Sequence, residues 1–153
     1  MRTLTTLLIG LLLVNCTTRV EPVYTYAISK ELQPYVKEVL TTLEIHDIQF
    51  KKQSFIVVFD ADIMRTDTIG MAKGMDNDNL VYVIINPILW GKLTVKQRRH
   101  LMFHELAHDI FNTEHTVEVE LMRPSMATPL QSLYMDINKE IGLLMKHIKE
   151  TNL

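Results

Sequence analysis

One cysteine in 153 residues leaves no partner for an internal disulfide, so a core or a bound ligand must hold this chain together. Glycine and proline are sparse at five each, which excludes collagen-like and low-complexity classes. No excess of charge of either sign exists: 16 Lys and Arg against 18 Asp and Glu give a formal net charge of −2 and a pI near 6.3. That balance offers no basic field to nucleic acid, and neither a Gly-rich phosphate loop nor an internal repeat is found. Hydrophobic residues make up 47% and charged residues 22%, the proportions of a globular protein with room for one core.

The longest apolar run is short. Met1-Arg2 precedes Leu4–Val14, which is apolar apart from Thr5, Thr6 and Gly10. A bilayer span needs about 20 apolar residues, so this run suits the hydrophobic region of a secretory signal instead. It stops at Leu13-Val14-Asn15-Cys16, and this resembles a bacterial lipoprotein signal, whose cysteine becomes the lipidated first residue of the mature chain. Leu13 matches the leucine three places before that cysteine, while Asn15 departs from the small residue preferred next to it. The resemblance implies a signal over 1–15, lipidation at Cys16, a tether over 16–27 and a domain over 28–153. It also implies a membrane lipoprotein of the cell envelope, at the periplasmic or cell-surface side. The alternatives are an ordinary secretory signal with an incidental cysteine, or a short buried helix at the N-terminus.

Periodicity supplies the elements beyond the tether. Leu32, Tyr35, Val36, Val39, Leu40 and Leu43 recur at three and four, predicting a helix over 28–45 with Ser29 as N-cap and Pro34 in its first turn. Phe55–Phe59 reads as a buried strand. Thr68–Lys73 and Leu80–Asn86 read as two more strands joined by a polar loop at 74–79. Asp76 and Asp78 in that loop lack the Gly and the bidentate Glu of a calcium loop, so a solvated turn is expected. Thr94 caps a helix running to about Phe111, with Asn112 able to turn its end. After an irregular stretch, Leu133, Ile137, Ile141, Leu144, Met145 and Ile148 mark a last amphipathic helix within 130–149. The expected class is α+β, with a small sheet of three or more strands.

The chemistry concentrates in His104-Glu105-Leu106-Ala107-His108. Residues four apart on a helix share a face, so two imidazoles can reach one ion. Zinc takes neutral imidazole nitrogens, and Glu105 is placed to accept a proton from a zinc-bound water. A third protein ligand is then required. His115, Glu114 and, on the last helix, Glu140 are the candidates; an imidazole is the usual choice, which favours His115. His100 lies one turn before His104, too far from His108 to share an ion, and reads as a packed residue or one supporting a ligand. Asp109 reads as a partner of a ligand histidine or as a surface carboxylate. His46, His147, Glu118 and Glu120 fit no constellation.

From His104 to Pro124 the chain resembles the metzincin zinc peptidases, whose long motif HExxHxxGxxH is followed by a methionine turn. Leu121-Met122-Arg123-Pro124 is similar to the turn of matrixin-type members, with Met126 the weaker candidate for the methionine. Phe111 stands where the family has Gly, and Glu114 where it has the third histidine, so His115 comes one residue late. The resemblance implies a zinc-dependent metallopeptidase in which Met122 floors the metal and a peptide or protein substrate lies along an edge strand. Leu80–Asn86 is the strand expected in that role. A gluzincin-like arrangement would use Glu140 instead. Outside peptidases, a zinc hydrolase of another amide and a non-catalytic envelope lipoprotein remain open. A monomer is expected, and the substrate is not readable.

Overall fold

The computed structural model describes residues 26–60, 63, 67–75, 79–124 and 134–151. The signal, Cys16, the Asp76–Asp78 loop and Met126 lie outside the described residues. The chain forms an α+β domain with one four-stranded, mostly parallel sheet. Among the described residues no helix is long and apolar enough to cross a membrane.

Strand β1 (Tyr26–Ile28) leads into helix α1 (Gln33–Ile45), which returns the chain to β2 (Ser54–Phe59) parallel to β1. Strands β3 (Gly70–Ala72) and β4 (Leu80–Ile85) pair antiparallel, as the polar connection between them leads one to expect. β4 also pairs parallel with β2, and the sheet order is β1-β2-β4-β3. This corrects the expectation for Leu80–Asn86. β4 lies inside the sheet with both edges paired, and β3 is the edge strand on that side. A single sequence carries the alternation of a strand but not the partners it will find, which are long-range.

β1 takes in Tyr26 and Ala27, which the sequence places in the tether, and α1 begins later than expected. Its N-cap is Leu32, and Pro34 falls in the first turn, where its missing N–H costs nothing. Ser29 does not cap α1 with its side chain; its Oγ accepts the Phe59 N–H at 3.3 Å, tying the end of β1 to β2. The short helix α2 (Pro87–Lys92) has no counterpart in the periodicity. Asn86 makes it, with Oδ1 accepting from Ile88 N and Leu89 N, and Pro87 placed at its start.

Helix α3 (Val95–Phe111) is the spine, packing against α1, β3, β4, the last helix and the 3-10 turn Glu120–Met122. Thr94 and Gln97 close its N-terminus as a reciprocal capping box. Its last turn ends at Asn112, in the left-handed conformation at φ 51°. Helix α4 (Ile137–Thr151) closes the domain. The core joins Val36, Val39 and Leu43 of α1, Phe55 and Val57 of β2, Val81, Val83 and Ile85 of β4, Met102, Phe103 and Leu106 of α3, and the inward stripe of α4. Arg99 of α3 bonds both Glu38 of α1 and Asn138 of α4, drawing the three helices together at the surface.

Candidate metal centre

The helical spacing does what it predicts: His104 and His108 stand on one face of α3 and present Nε2 atoms 3.1 Å apart. The segment beyond the helix completes the set. Left-handed Asn112 reverses the chain, the Thr113 carbonyl comes back to accept from His108 Nδ1, and His115 swings over the helix end. Its Nε2 lies 3.1 Å from that of His108 and 3.3 Å from that of His104. Further along, the Thr116 N–H bonds the Met122 carbonyl, and the Leu121 carbonyl accepts from His104 Nδ1 at 2.6 Å. Two of the three rings thus pin the loop that carries the third.

The protonation states are set by these partners. A carbonyl only accepts, so Nδ1 of His104 and of His108 must carry the hydrogen. Burial keeps both rings neutral. It holds His104 down at about 3, against the pull of the Leu121 carbonyl and with smaller help from neighbouring histidines. It also lowers His108, again against a carbonyl, that of Thr113. A neutral ring with its hydrogen on Nδ1 has a bare lone pair on Nε2. Two such lone pairs and the His115 Nε2 converge on one point, which repels unless a cation sits there. An ion about 2.0–2.1 Å from each nitrogen at tetrahedral angles needs nitrogens about 3.3–3.4 Å apart, close to the separations found. Among the described residues these three histidines are the one group arranged to hold a metal ion.

Glu105 points into the same cleft, an open space of about 1010 Å³ between the segment 67–72 on one side and His115 with Arg123-Pro124 on the other. It is buried, and burial raises its carboxyl to about 7, with the Ala72 N–H pulling down and the charge of Asp109 adding to the rise. Ile69 O and Lys73 N face β4, so by strand alternation the main-chain groups of Gly70 and Ala72 face the open edge and the cleft. Gly70 lets the carboxylate in: a β-carbon there would meet Glu105 Oε1 at 2.8 Å.

Asp109 departs from both of its expected roles. It is fully buried and its carboxylate bonds elsewhere than to the three histidines: Oδ1 pairs with Lys52 Nζ at 3.0 Å, and Oδ2 accepts from Gly74 N at 2.7 Å and Tyr82 N at 3.1 Å. Lys52 also donates to the carbonyls of Gly74 and Leu80. This buried ion pair fixes α3 against β4 and the loop after β3. Glu114 is exposed and lines the cleft outside the three-histidine group, and Glu140, on α4, is outside both. Met122 is fully buried in the core, and Glu120 pairs with Arg123 at 2.7 Å. His46 and His147 take no part in the site.

Gly70, Lys52 and the Thr113 and Leu121 carbonyls are the supporting parts that sequence reasoning missed. Only Gly70 carried a signal, an isolated glycine in a strand pattern, which marks a close approach. Comparison with protein-family models, with curated proteins and with solved structures finds no match to this chain.

Proposed function

We propose that this protein is a zinc-dependent metallopeptidase, anchored by a lipidated Cys16 in a bacterial cell envelope. The observation that carries the reading is the convergence of three Nε2 atoms within 3.1–3.3 Å, two of them with their hydrogens committed to carbonyls on the far side of the ring. His104, His108 and His115 would hold the ion. Zinc held by three imidazoles supplies Lewis acidity and makes water acidic enough to attack at neutral pH. Imidazole donors at this spacing suit it, and the resemblance of His104–Pro124 to metzincins points the same way.

Glu105 provides the base. A carboxyl held near 7 is matched to proton transfer at neutral pH, and a cation beside it would draw that value down. Its carboxylate takes a proton from the attacking water and returns it to the departing amine. The edge of β3 gives the substrate its place: the outward main-chain groups of Gly70 and the Ala72 carbonyl can pair with an extended peptide laid across the cleft, the Ala72 N–H being held by Glu105. Met122 would serve as the apolar floor.

Zinc content and peptide cleavage test the proposal together. The wild-type chain is expected to carry about one zinc, and Glu105→Gln to retain it while losing about 10²–10⁴-fold in kcat on a peptide library. Loss of zinc is expected on His115→Ala and not on Glu114→Ala or Glu140→Ala. A zinc-loaded wild type without peptidase activity, or a fully active Glu105→Gln, would sink the reading.

A further inference from the structure

Strand β3 meets helix α3 at two glycines. A β-carbon at Gly70 would lie 2.8 Å from Glu105 Oε1, and one at Gly74 would lie 2.7 Å from Asp109 Oδ1. Glu105 and Asp109 are four apart on α3 and share a face, and the two contacts bracket β3. At the Gly74 end the ladder is interrupted. Lys73 N bonds Tyr82 O at 2.6 Å, and in a regular antiparallel pair Tyr82 N would return the bond. It goes instead to Asp109 Oδ2 at 3.1 Å, an oxygen that also accepts from Gly74 N at 2.7 Å. Lys52 Nζ, 3.0 Å from Asp109 Oδ1, donates its other hydrogens to the carbonyls of Gly74 at 2.6 Å and Leu80 at 3.2 Å. The carboxylate is thus a wedge between β3 and β4, and two side chains serve four main-chain groups. Both side chains are sealed from water, at 6% and 0% exposure. A well-packed apolar pair would stabilise such a place at least as well as a buried ion pair, but it could serve none of those four groups.

We propose that Asp109 and Lys52 are positioning residues for the substrate: their ion pair ends the open edge of β3 just beyond Ala72 and holds that edge at a fixed distance from α3, where a bound peptide meets the three histidines. Both main-chain groups of Gly74 are taken, so an extended peptide can pair only with the Gly70 groups and the Ala72 carbonyl. Without the wedge, Tyr82 N is free to return to the Lys73 carbonyl, the two strands zip past Ala72 and β3 is drawn away from α3. The inference rests on the strand docking of the proposed function and leaves the three histidines untouched.

The test is the binding of two hydroxamates to the zinc-loaded full chain in mild detergent. Acetohydroxamate reaches only the metal, whereas a tripeptide hydroxamate adds strand pairing, so the ratio of their affinities measures the edge alone. Lys52→Met with Asp109→Leu removes the clamp without stranding a charge. Lys52→Met with Asp109→Asn keeps an oxygen for the Gly74 and Tyr82 N–H groups. The Leu variant is expected to lower the ratio about tenfold with zinc content and acetohydroxamate affinity unchanged, and the Asn variant to stay within about threefold of wild type. An unchanged ratio in the Leu variant, an equal loss for both hydroxamates, or an Asn variant as weak as the Leu variant overturns the proposal and leaves the peptidase standing. Should the Leu variant fail to fold, amide hydrogen exchange in the zinc-loaded wild type decides. Gly74 and Tyr82 amides as protected as that of Met71 support the clamp, and fast exchange at Gly74 overturns it. A wild type that binds the tripeptide hydroxamate no better than acetohydroxamate overturns the strand docking and this inference together. A wild type that takes up no zinc overturns the metal centre and with it both.

Discussion

Glu105 and Gly70 are a matched pair across the gap between α3 and β3. The carboxylate is close enough to the strand that a single methyl group at position 70 would touch three of its atoms, Oε1 at 2.8 Å and Cδ and Cγ at 3.0 Å. Those distances fall below ordinary contact, so either the side chain or the strand must give way. If Glu105 is the base proposed above, Gly70→Ala is expected to cut the proposed peptide turnover by roughly tenfold or more, because a carboxylate displaced by even an ångström is misplaced for proton transfer. The histidines are untouched by this change, so zinc content should stay at the wild-type level. Full activity in Gly70→Ala would show that the base has room the structure does not give it.

Among the elements, α3 owes its usefulness to how it ends. Asn112 adopts φ 51° and ψ 31°, a conformation that asparagine tolerates and a β-branched residue resists. Asn112→Val is expected to cost about 1–2 kcal/mol of stability and to weaken zinc binding, since the Thr113 carbonyl and His115 both depend on the reversal. Asn112→Gly should be nearly silent, and denaturant unfolding with a zinc titration would separate the two. α3 was the most legible element, with its capping threonine and its terminal asparagine both written locally, while the reciprocal bond from Gln97 was not read. β2 and β4 were legible as strands and not as neighbours, because parallel pairing joins residues far apart in sequence. β1 and α2 were not legible. The first is three residues long and the second is made by one side chain, that of Asn86. At the site the two helical histidines are given by a period of four, and His115 by the need for a third ligand. Lys52 left no trace in the pattern, being 57 positions from Asp109.

At the scale of the whole molecule, burying titratable groups ties stability to pH. His100, His104 and His108 are all held below the ordinary imidazole value, the first at about 4 and the second at about 3, in each case mainly by burial. As pH falls below about 6.5 the unfolded chain gains protons on these rings that the native state refuses, so the metal-free protein loses stability. Glu105, held up at about 7, opposes this above about 4.5, where the native state keeps a proton that the unfolded chain has released. His100 and His104 together outweigh the one carboxyl by a proton, a net loss between pH 6.5 and 4.5 of about 1 kcal/mol per unit, and His108 adds to it in the same direction. Thermal unfolding with EDTA should show the midpoint falling over that interval. A flat profile would contradict three neutral buried rings. Added zinc should raise the midpoint at pH 7, because the native state gathers three bare nitrogens that the unfolded chain does not.

The rings of His104 and His108 are oriented by main-chain oxygens, those of Leu121 and Thr113. A carbonyl is the same whichever side chain its residue carries, so this part of the centre is buffered against mutation. Thr113 can drift to other residues while its oxygen goes on serving His108, provided the backbone keeps its path. Heritable change therefore reaches the orientation of these rings through few positions, the turn at Asn112 foremost, and apart from Asn112 and His115 the side chains between His108 and Met122 can diverge while the backbone keeps its path.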